Sequence, residues 1–375
     1  MRDRDSIVDA MLLRRCPGVG DVTFRALIER FGTPQAVWAA PPESLAQVEG
    51  LSAAARAGLR PGPSRKFRGA AEAELDRLEA AEVQVLTLTD RDYPAALRAT
   101  YDPPALLFVS GAFRPEDRCA VALVGSRHAT EYGLRQARRL SGQLAARGLT
   151  VVSGLARGID AAAHQGALEA GGRTLAVIGC GLDGVYPPEH AGLQERIARE
   201  CAVVSELPLG SPPDAIHFPR RNRIISGLVL GVVVVEAGER SGALITARLA
   251  LEQGREVYAV PGMIDSTTAV GTHGLIKQGA KLVEDVDDIL AEVQAQLGPA
   301  PLPGPAGVAA PAPPALVGVP PAASEVFDVL SQEPKHIDEI TAATRLASSQ
   351  VAVVLLHLEL NGAIRRLNGQ RFVRI

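Results

Sequence analysis

Two turns of the sequence combine glycine and serine with an arginine, each where a short apolar stretch runs into a segment of helix length. The turns contain Gly125, Ser126 and Arg127 in the first case, and Ser153, Gly154 and Arg157 in the second. Such a turn leaves backbone N–H groups free at a helix N-terminus, where hydrogen bonding and the helix dipole both favour a phosphate. The tandem pair therefore indicates a protein that holds phosphates.

A basic segment, residues 217–225, reads HFPRRNRII. It combines guanidinium groups with an amide and an aromatic ring: Phe218, Arg220, Arg221, Asn222 and Arg223. Guanidinium groups pair with phosphates and a nucleobase can stack on an aromatic ring, so the segment, interpreted as a loop, fits a nucleic-acid strand. Alternatively, one or two of these arginines pair with Asp214, Glu206 or a neighbouring loop.

A third phosphate-binding start of a helix is predicted at Ser241 and Gly242, with Thr246 one turn inside that helix. The alternative is plain N-capping of the helix by the Ser241 hydroxyl. Because three such helix starts would lie along one surface, several phosphates in a row fit the pattern better than one small ligand.

The sequence argues moderately against catalysis. Several histidines lie near these turns, so a hydrolase is not dismissed by residue inventory alone. However, the sequence has no nucleophile elbow, no zinc-protease helix, no Walker phosphate loop and no dinucleotide-binding glycine fingerprint. We therefore predict no catalytic residues, no metal and no cofactor.

The central part of the chain alternates apolar strands and helices at regular spacing, which is typical of a parallel α/β sheet with helices on both faces. Six strands are predicted within residues 120–260, each followed by a long or glycine-rich loop. A doubly wound sheet binds its ligands at the carboxyl ends of its strands. All the residues named above come after such a predicted strand end in the sequence.

Flanking segments predict two further domains. The N-terminal part has two glycine turns between short helices, CPGVG and VEGLS, which fit either helix-hairpin-helix motifs or plain connections in a small bundle. A stretch rich in proline, alanine and glycine then separates a C-terminal module with three helices and a two-stranded wing. The predicted boundaries are 1–68 for the helical domain, 69–297 for the α/β domain, 298–322 for the linker and 323–375 for a winged helix.

Composition limits the remaining possibilities. The net charge of the 375-residue chain is −3, so a polyanion would bind a local patch. The four cysteines are scattered without metal-binding or disulfide-framework spacing, and no apolar run is long enough for a membrane span. We therefore expect a cytoplasmic protein without membrane contact.

The motifs GSR, SGLARGID, GLDGVYP, FPRRNRIISG, VVEAGERSGALITA and VPG occur in the order typical of the DNA-processing protein A family, also called Smf. The chain resembles that family over residues 93–283. The resemblance implies an extended Rossmann-like core that dimerises, an N-terminal helix-hairpin-helix or SAM-like domain and a C-terminal winged helix. It also implies binding of single-stranded DNA during natural transformation, protection of incoming strands, and loading of the RecA recombinase onto DNA coated with single-strand-binding protein.

Carrying the family motifs over places DNA contacts on the residues of the turns, of the basic segment and of the late helix start named above. Lys277, in LIKQGA, is a further candidate cation at the same edge. Two positions depart from the family pattern, since His190 and His273 stand where asparagine is usual. A histidine can still donate one hydrogen bond, so only the details of those two contacts are affected.

The winged module lacks one feature of a DNA reader, because its predicted recognition helix contains no lysine or arginine. The wing arginines, Arg365, Arg366, Arg371 and Arg374, fit either phosphate contacts or a solvated strand face. We interpret the module as a site of partner contact or of weak, sequence-independent DNA binding.

Two other functions remain open at the level of sequence. The core also resembles phosphoribohydrolases, which would make the chain a nucleotide-processing enzyme. Those enzymes carry the motif PGGxGTxxE, and its catalytic glutamate is missing here. The other alternative is an assembly scaffold whose modules contact proteins rather than DNA.

Overall fold

A computed structural model of the chain describes residues 3–60, 62–297, 323–330, 335–344, 346–360, 364–367 and 370–374. The chain divides into two compact units, Met1–Ala306 and Gly307–Ile375, which are treated separately below. The predicted linker at 298–322 lies outside the described residues.

The N-terminal part of the first unit consists of short helices joined by glycine turns. The helices are α1 (Arg4–Arg15), α2 (Asp21–Phe31), α3 (Pro34–Ala39), α4 (Pro42–Ala46), α5 (Ala53–Gly58) and α6 (Arg65–Ala80). Gly18, in the turn between α1 and α2, has a φ of +80°, and a Cβ there would lie 2.8 Å from Ser52 Oγ. The first hairpin therefore packs directly against the start of α5, which follows the second glycine turn.

Nine strands form one sheet in the order β1-β2-β6-β5-β4-β3-β7-β8-β9. The strands are β1 (Val83–Thr87), β2 (Leu106–Gly111), β3 (Ala120–Val124), β4 (Thr150–Ser153), β5 (Thr174–Val177), β6 (Ala202–Ser205), β7 (Gly231–Val234), β8 (Glu256–Ala259) and β9 (Lys281–Leu282). All neighbours from β6 to β9 are parallel, whereas β1 and β2 extend the sheet in antiparallel pairs.

Helices cover both faces of this sheet, as predicted. They are α7 (Ala95–Arg98), α8 (Glu131–Ala146), α9 (Ile159–Glu169), α10 (Ala191–Glu200), α11 (His217–Gly227), α12 (Gly242–Glu252), α13 (Val270–Lys277) and α14 (Val286–Leu297). The side chains of β3 alternate between two cores: Val121 and Leu123 pack with α8, α9 and α14, while Ala122 and Val124 pack with α11, α12 and the N-terminal helices. Because the chain leaves β3 towards β4 and later returns to add β7 on the other side, the sheet has its topological switch point between β3 and β7.

The basic segment is helical, which corrects the interpretation as a loop. Helix α11 begins at His217 and therefore contains the whole basic segment. Pro219 lies in its first turn, where a missing N–H removes no intrahelical hydrogen bond. Because successive residues of a helix lie about 100° apart around its axis, the arginines of this segment project in different directions.

The first two predicted domains share one core. Phe24 and Leu27 of α2 pack in the same apolar cluster as Leu107 of β2 and Ile224 of α11. The predicted boundary after residue 68 falls inside α6, whose Arg68 and Glu74 form ion pairs with α1.

The second unit has the predicted order of three helices and a wing. Its elements are α15 (Ala323–Val329), β10 (Lys335–His336), α16 (Ile337–Thr344), α17 (Ser348–Leu360), β11 (Ile364–Leu367) and β12 (Arg371–Arg374). The strand β10, which was not predicted, pairs with β12 to complete a three-stranded antiparallel sheet. Val326, Ile340, Val351 and Phe372 belong to its small core.

Within the described parts of the chain, no helix combines the length and the apolar character that crossing a membrane requires.

One ionisable side chain of the core has an unusual state. The His164 ring in α9 is fully buried, with Nδ1 2.7 Å from Thr174 Oγ1, and that hydroxyl donates to the Val151 carbonyl. Nδ1 therefore carries the ring proton, and Nε2 is left without a hydrogen-bond partner among the described residues. Burial, with smaller contributions from the nearby His190 and Arg221, lowers the pKa of His164 to about 3.

Replacing His164 by asparagine should make the protein less sensitive to acid. Below about pH 6.5 the unfolded chain gains a proton on His164 that the folded chain does not, so the wild type loses up to about 1.4 kcal/mol of unfolding free energy per pH unit. Urea unfolding at about pH 7 and about pH 5 measures this loss. We expect His164→Asn to lose about 2 kcal/mol less than the wild type over that interval. Parallel losses in the two proteins would contradict the assignment.

Candidate nucleic-acid interface

A cavity of about 760 Å³ lies at the switch point, at the carboxyl edge of the sheet between the loops that follow β3 and β7. Nine of the predicted site residues line it: Gly125, Ser126, Arg127, Phe218, Arg221, Asn222, Ser241, Gly242 and Thr246. The structure thus brings together the first turn, the basic segment and the late helix start.

The first turn is held in place by Glu236, which lies two residues after the end of β7. Ser126 N donates to the Glu236 backbone carbonyl at 2.8 Å, and the buried Glu236 carboxylate accepts hydrogen bonds from Thr130 N and Oγ1. A Cβ on Gly133, in the first turn of α8, would lie 2.4 Å from that carboxylate. The turn is therefore rigid, and it presents Arg127 as an exposed side chain at the mouth of the cavity.

Two aromatic rings and Arg127 form a cluster beside this mouth. The Arg127 guanidinium lies 5.2 Å from the centroid of the Phe218 ring, within the range of a cation–π contact. The Tyr186 ring is 5.2 Å from Phe218 at an interplanar angle of 39°. Sequence reasoning missed Tyr186, although its loop was singled out, because the contact depends on how the loop after β5 folds over α11.

Arg221 lies beneath the cavity and is only 4% exposed. Its Nη1 donates to the Gly154 carbonyl at 2.6 Å and to the Val177 carbonyl, so it joins α11 to the ends of β4 and β5. Burial lowers the pKa of Arg221 to about 10, against the opposing effect of the nearby Asp160 carboxylate. The guanidinium therefore stays charged at neutral pH.

Asp160 is the carboxylate in the cavity lining. It accepts hydrogen bonds from Gly154 N at 3.2 Å and Ala156 N at 3.3 Å. Burial raises the pKa of Asp160, whereas Arg221 and these hydrogen bonds act in the opposite direction. Asp160 and Arg221 together fix the second predicted turn.

Arg223 faces away from the cavity and is buried in an ion-pair network. It forms ion pairs with Glu206 at 2.5 Å, Asp21 at 3.0 Å and Asp102 at 3.3 Å. Asp21 is the first residue of α2 and also pairs with Arg14. The pairing with Glu206, considered as an alternative from the sequence, is thus present for Arg223, which connects α11 to the N-terminal helices.

The other predicted residues lie outside the cavity lining. Ser153 is buried and its hydroxyl donates to the Leu123 carbonyl. Gly154 contacts Asp160 and Arg221, and Arg223 is held in the ion-pair network with Glu206 and Asp21. Arg157 forms a two-pronged ion pair with Glu189 in which both side chains are about half exposed. Arg220 and Lys277 are exposed, the latter at the end of α13.

At the late helix start, the structure shows the capping that the sequence left as an alternative. Ser241 caps α12, since its hydroxyl accepts from Ala243 N at 3.3 Å, and Thr246 is buried. Arg240, immediately before this cap, is exposed and lines the cavity. Sequence reasoning missed Arg240, although its position next to a predicted phosphate-binding helix start was a usable signal.

The two histidines that depart from the family pattern both contact backbone carbonyls. His190 Nδ1 is 2.9 Å from Leu155 O, and His273 Nε2 is 3.1 Å from Gly262 O. Among the described residues, no group of three or more histidine, cysteine or acidic side chains is arranged to hold a metal ion.

These features define the chain as a Rossmann-like α/β protein with an arginine-lined cavity at its switch point. Sequence models of three domain families match it: "DNA recombination-mediator protein A" at residues 84–294, "DprA-like N-terminal HHH domain" at residues 4–61 and "DprA winged helix domain" at residues 310–370. The chain belongs to the DprA family.

Relatives extend this comparison. The chain is 48% identical to Protein Smf of Escherichia coli over 60% of its own length and 61% of the length of that protein. It is similar to the structure of DNA processing protein A from Streptococcus pneumoniae, with a TM-score of 0.63 and 34% identity over 78% of this chain and 99% of that one. A DNA processing protein A from Helicobacter pylori, described for its single-stranded DNA binding mode, matches with a TM-score of 0.52 and 28% identity over 57% of this chain and 97% of that one.

Adding a methyl group at Gly154 should destabilise the fold, because a Cβ there would lie 2.5 Å from the Arg221 guanidinium. That group is fixed by two carbonyls, so we expect Gly154→Ala to lower the unfolding free energy by about 1–3 kcal/mol. Denaturant unfolding measures the change. Gly192→Ala in α10 is the matched control, since nothing lies within 4 Å of its Cβ position. Equal stabilities of the two variants would contradict the role given to Arg221.

Proposed function

We propose that the chain binds single-stranded DNA at the cavity between β3 and β7. The observation that carries the proposal is the cluster of Arg127, Phe218 and Tyr186 at the cavity mouth, where a phosphate-pairing cation lies next to two aromatic rings. Single-strand binding proteins combine a positive groove with aromatic side chains on which bases stack. The Helicobacter pylori relative, whose structure concerns single-stranded DNA binding, supports this assignment.

The cationic groups take different roles in this proposal. Arg127 and Arg240 are exposed at the cavity and contact phosphates directly, together with the N-terminus of α12. Arg221 contributes its charge from the buried floor, whereas Arg223 positions α11. Arg157 reaches a phosphate after leaving Glu189, because that ion pair is exposed and therefore weak. Arg220 and Lys277 continue the basic edge beyond the cavity.

In the cell, this activity would protect incoming DNA during natural transformation and load the RecA recombinase onto strands coated with single-strand-binding protein, as the family resemblance implies. A homodimer through the Rossmann-like domain belongs to the same proposal. Met263 and Ile264 are 75% and 94% exposed in the loop after β8, so they offer an apolar contact for a second copy. We place the protein in the cytoplasm, and we assign the winged helix to partner contact or weak DNA binding.

The proposed role is not enzymatic. Asp160, the carboxylate of the cavity lining, is only 7% exposed and already accepts hydrogen bonds from two backbone N–H groups, so it is poorly placed to take a proton from a substrate. Incubation with nucleoside monophosphates, followed by chromatography, tests the nucleotide-processing alternative, for which base release would be the positive result. A gel shift with oligo-dT separates DNA binding from the assembly-scaffold alternative.

Substitutions of Phe218 and Arg127 should weaken single-strand binding in two distinguishable ways. Phe218→Ala removes stacking worth about 1–3 kcal/mol and should leave the salt dependence of binding unchanged. Arg127→Ala removes one phosphate contact and should reduce the slope of log K against log[salt] by about 0.7. Fluorescence anisotropy of labelled oligo-dT at several salt concentrations measures both, with Arg199→Ala in α10 as the control. Wild-type affinity in both site variants would overturn the assignment of the site.

A further inference from the structure

A second cavity, of about 440 Å³, lies on the other side of the turn that carries Arg127. It is a groove between α8 and the start of α9, and Arg127 lines both it and the first cavity. Gly158 forms part of the ridge between them, with a φ of +75° and a Cβ position only 2.3 Å from the Ser126 carbonyl. The two cavities are therefore neighbours across a tightly packed turn.

The charges of this groove are predominantly positive. Arg127, Arg135 and Arg138 line it and are exposed, together with His128, and Glu131 is the one acidic side chain in its lining. Among the described residues, no carboxylate lies within ion-pair distance of Arg135 or Arg138. Arg138 Nη2 donates instead to Gln165 Oε1 at 2.6 Å, at the far wall of the groove.

Two other arginines, one in α8 and one at its C-cap, contrast with these two. Arg139 donates to Gln136 and to the Glu284 backbone carbonyl, and Arg147 forms an ion pair with Asp287. These side chains are thus engaged in contacts that hold α14 and its preceding loop. Arg135 and Arg138 are one turn apart and project from the same face of α8, so their positive charges add along the groove.

The floor of the groove consists of small residues from α9. Ala161 and Ala162, with Gly158, keep the side-chain wall low, so that a chain of sugars and phosphates can approach α9 closely. The groove has no phenylalanine, tyrosine or tryptophan in its lining, unlike the first cavity, which has Tyr186 and Phe218. Its chemistry therefore suits a phosphate backbone and does not suit stacking of bases.

We propose that this groove binds the sugar-phosphate backbone of the single strand as it leaves the first cavity and passes Arg127, which lines both cavities. The inference rests on the proposed function and extends it. Bases would be held at Phe218 and Tyr186, whereas the adjoining nucleotides would be held by charge alone at Arg135 and Arg138. The occupied length of DNA is then longer than the first cavity alone accounts for.

Oligonucleotides of two lengths test whether the strand follows this path from the first cavity into the groove. We compare the affinity of the full chain for oligo-dT of about 6 and about 20 nucleotides, in the range of single-strand site sizes. Arg135→Gln/Arg138→Gln should reduce the salt slope for the longer strand by about 1.4, and its affinity near 0.1 M salt by about 10- to 30-fold, because two phosphate contacts are lost. The shorter strand, which the first cavity holds, should change by less than about twofold.

Two further variants serve as controls. Arg147→Gln/Arg199→Gln removes the same charge from exposed positions outside both cavity linings and should leave both affinities unchanged. Glu131→Gln removes the acidic group of the groove and should strengthen binding of the longer strand alone.

The outcomes separate the groove from the first cavity. Unchanged binding of the longer strand by Arg135→Gln/Arg138→Gln would overturn the path, and so would equal weakening of both lengths, even though the proposed function would stand. Failure of the wild type to bind either length would instead overturn the proposed function, and the path with it.

Discussion

The cavity depends on the buried guanidinium of Arg221. Taking a charge out of water costs several kcal/mol unless hydrogen bonds and an opposite charge compensate for it. Here the Gly154 and Val177 carbonyls and the nearby Asp160 supply that compensation. The second turn and α11 can therefore adopt only the arrangement in which these partners meet, and that arrangement places Phe218 at the cavity mouth.

Helix α11 serves three neighbours because of its periodicity. Residues two apart in a helix lie about 200° apart around its axis, so Arg221 and Arg223 project in nearly opposite directions. Arg221 reaches the sheet, and Arg223 reaches Asp21 in the N-terminal helices. Asn222, between them, donates towards the Gly242 carbonyl at the start of α12 at 3.5 Å. In this structure the basic segment therefore serves mainly to position α11 against the sheet, the N-terminal helices and α12.

The sequence was sufficient for the α/β sheet and for nine of the residues that line the cavity, because the central strands are short, largely apolar runs followed by long or glycine-rich loops. It was not sufficient to predict which arginines are exposed and which are buried in ion pairs. Whether Arg127 is exposed and Arg223 buried is decided by partners 100 or more positions away, such as Glu236 and Asp21. Tyr186 was missed for a related reason, because no local pattern says which loop residues face a cavity built from several loops.

The shared core of the N-terminal helices and the sheet bears on how modular the molecule is. Leu13, Phe24 and Leu27 pack in one cluster with residues of β2 and α11, and Gly18 of the first hairpin is covered by the start of α5. The helix-hairpin-helix segment is therefore a structural subdomain of the first unit. It is not an independent domain joined to the sheet by a flexible linker. A fragment cut between it and the sheet would expose apolar core and leave Arg223 with fewer carboxylates. The natural dividing line for making fragments of this protein consequently lies after α14.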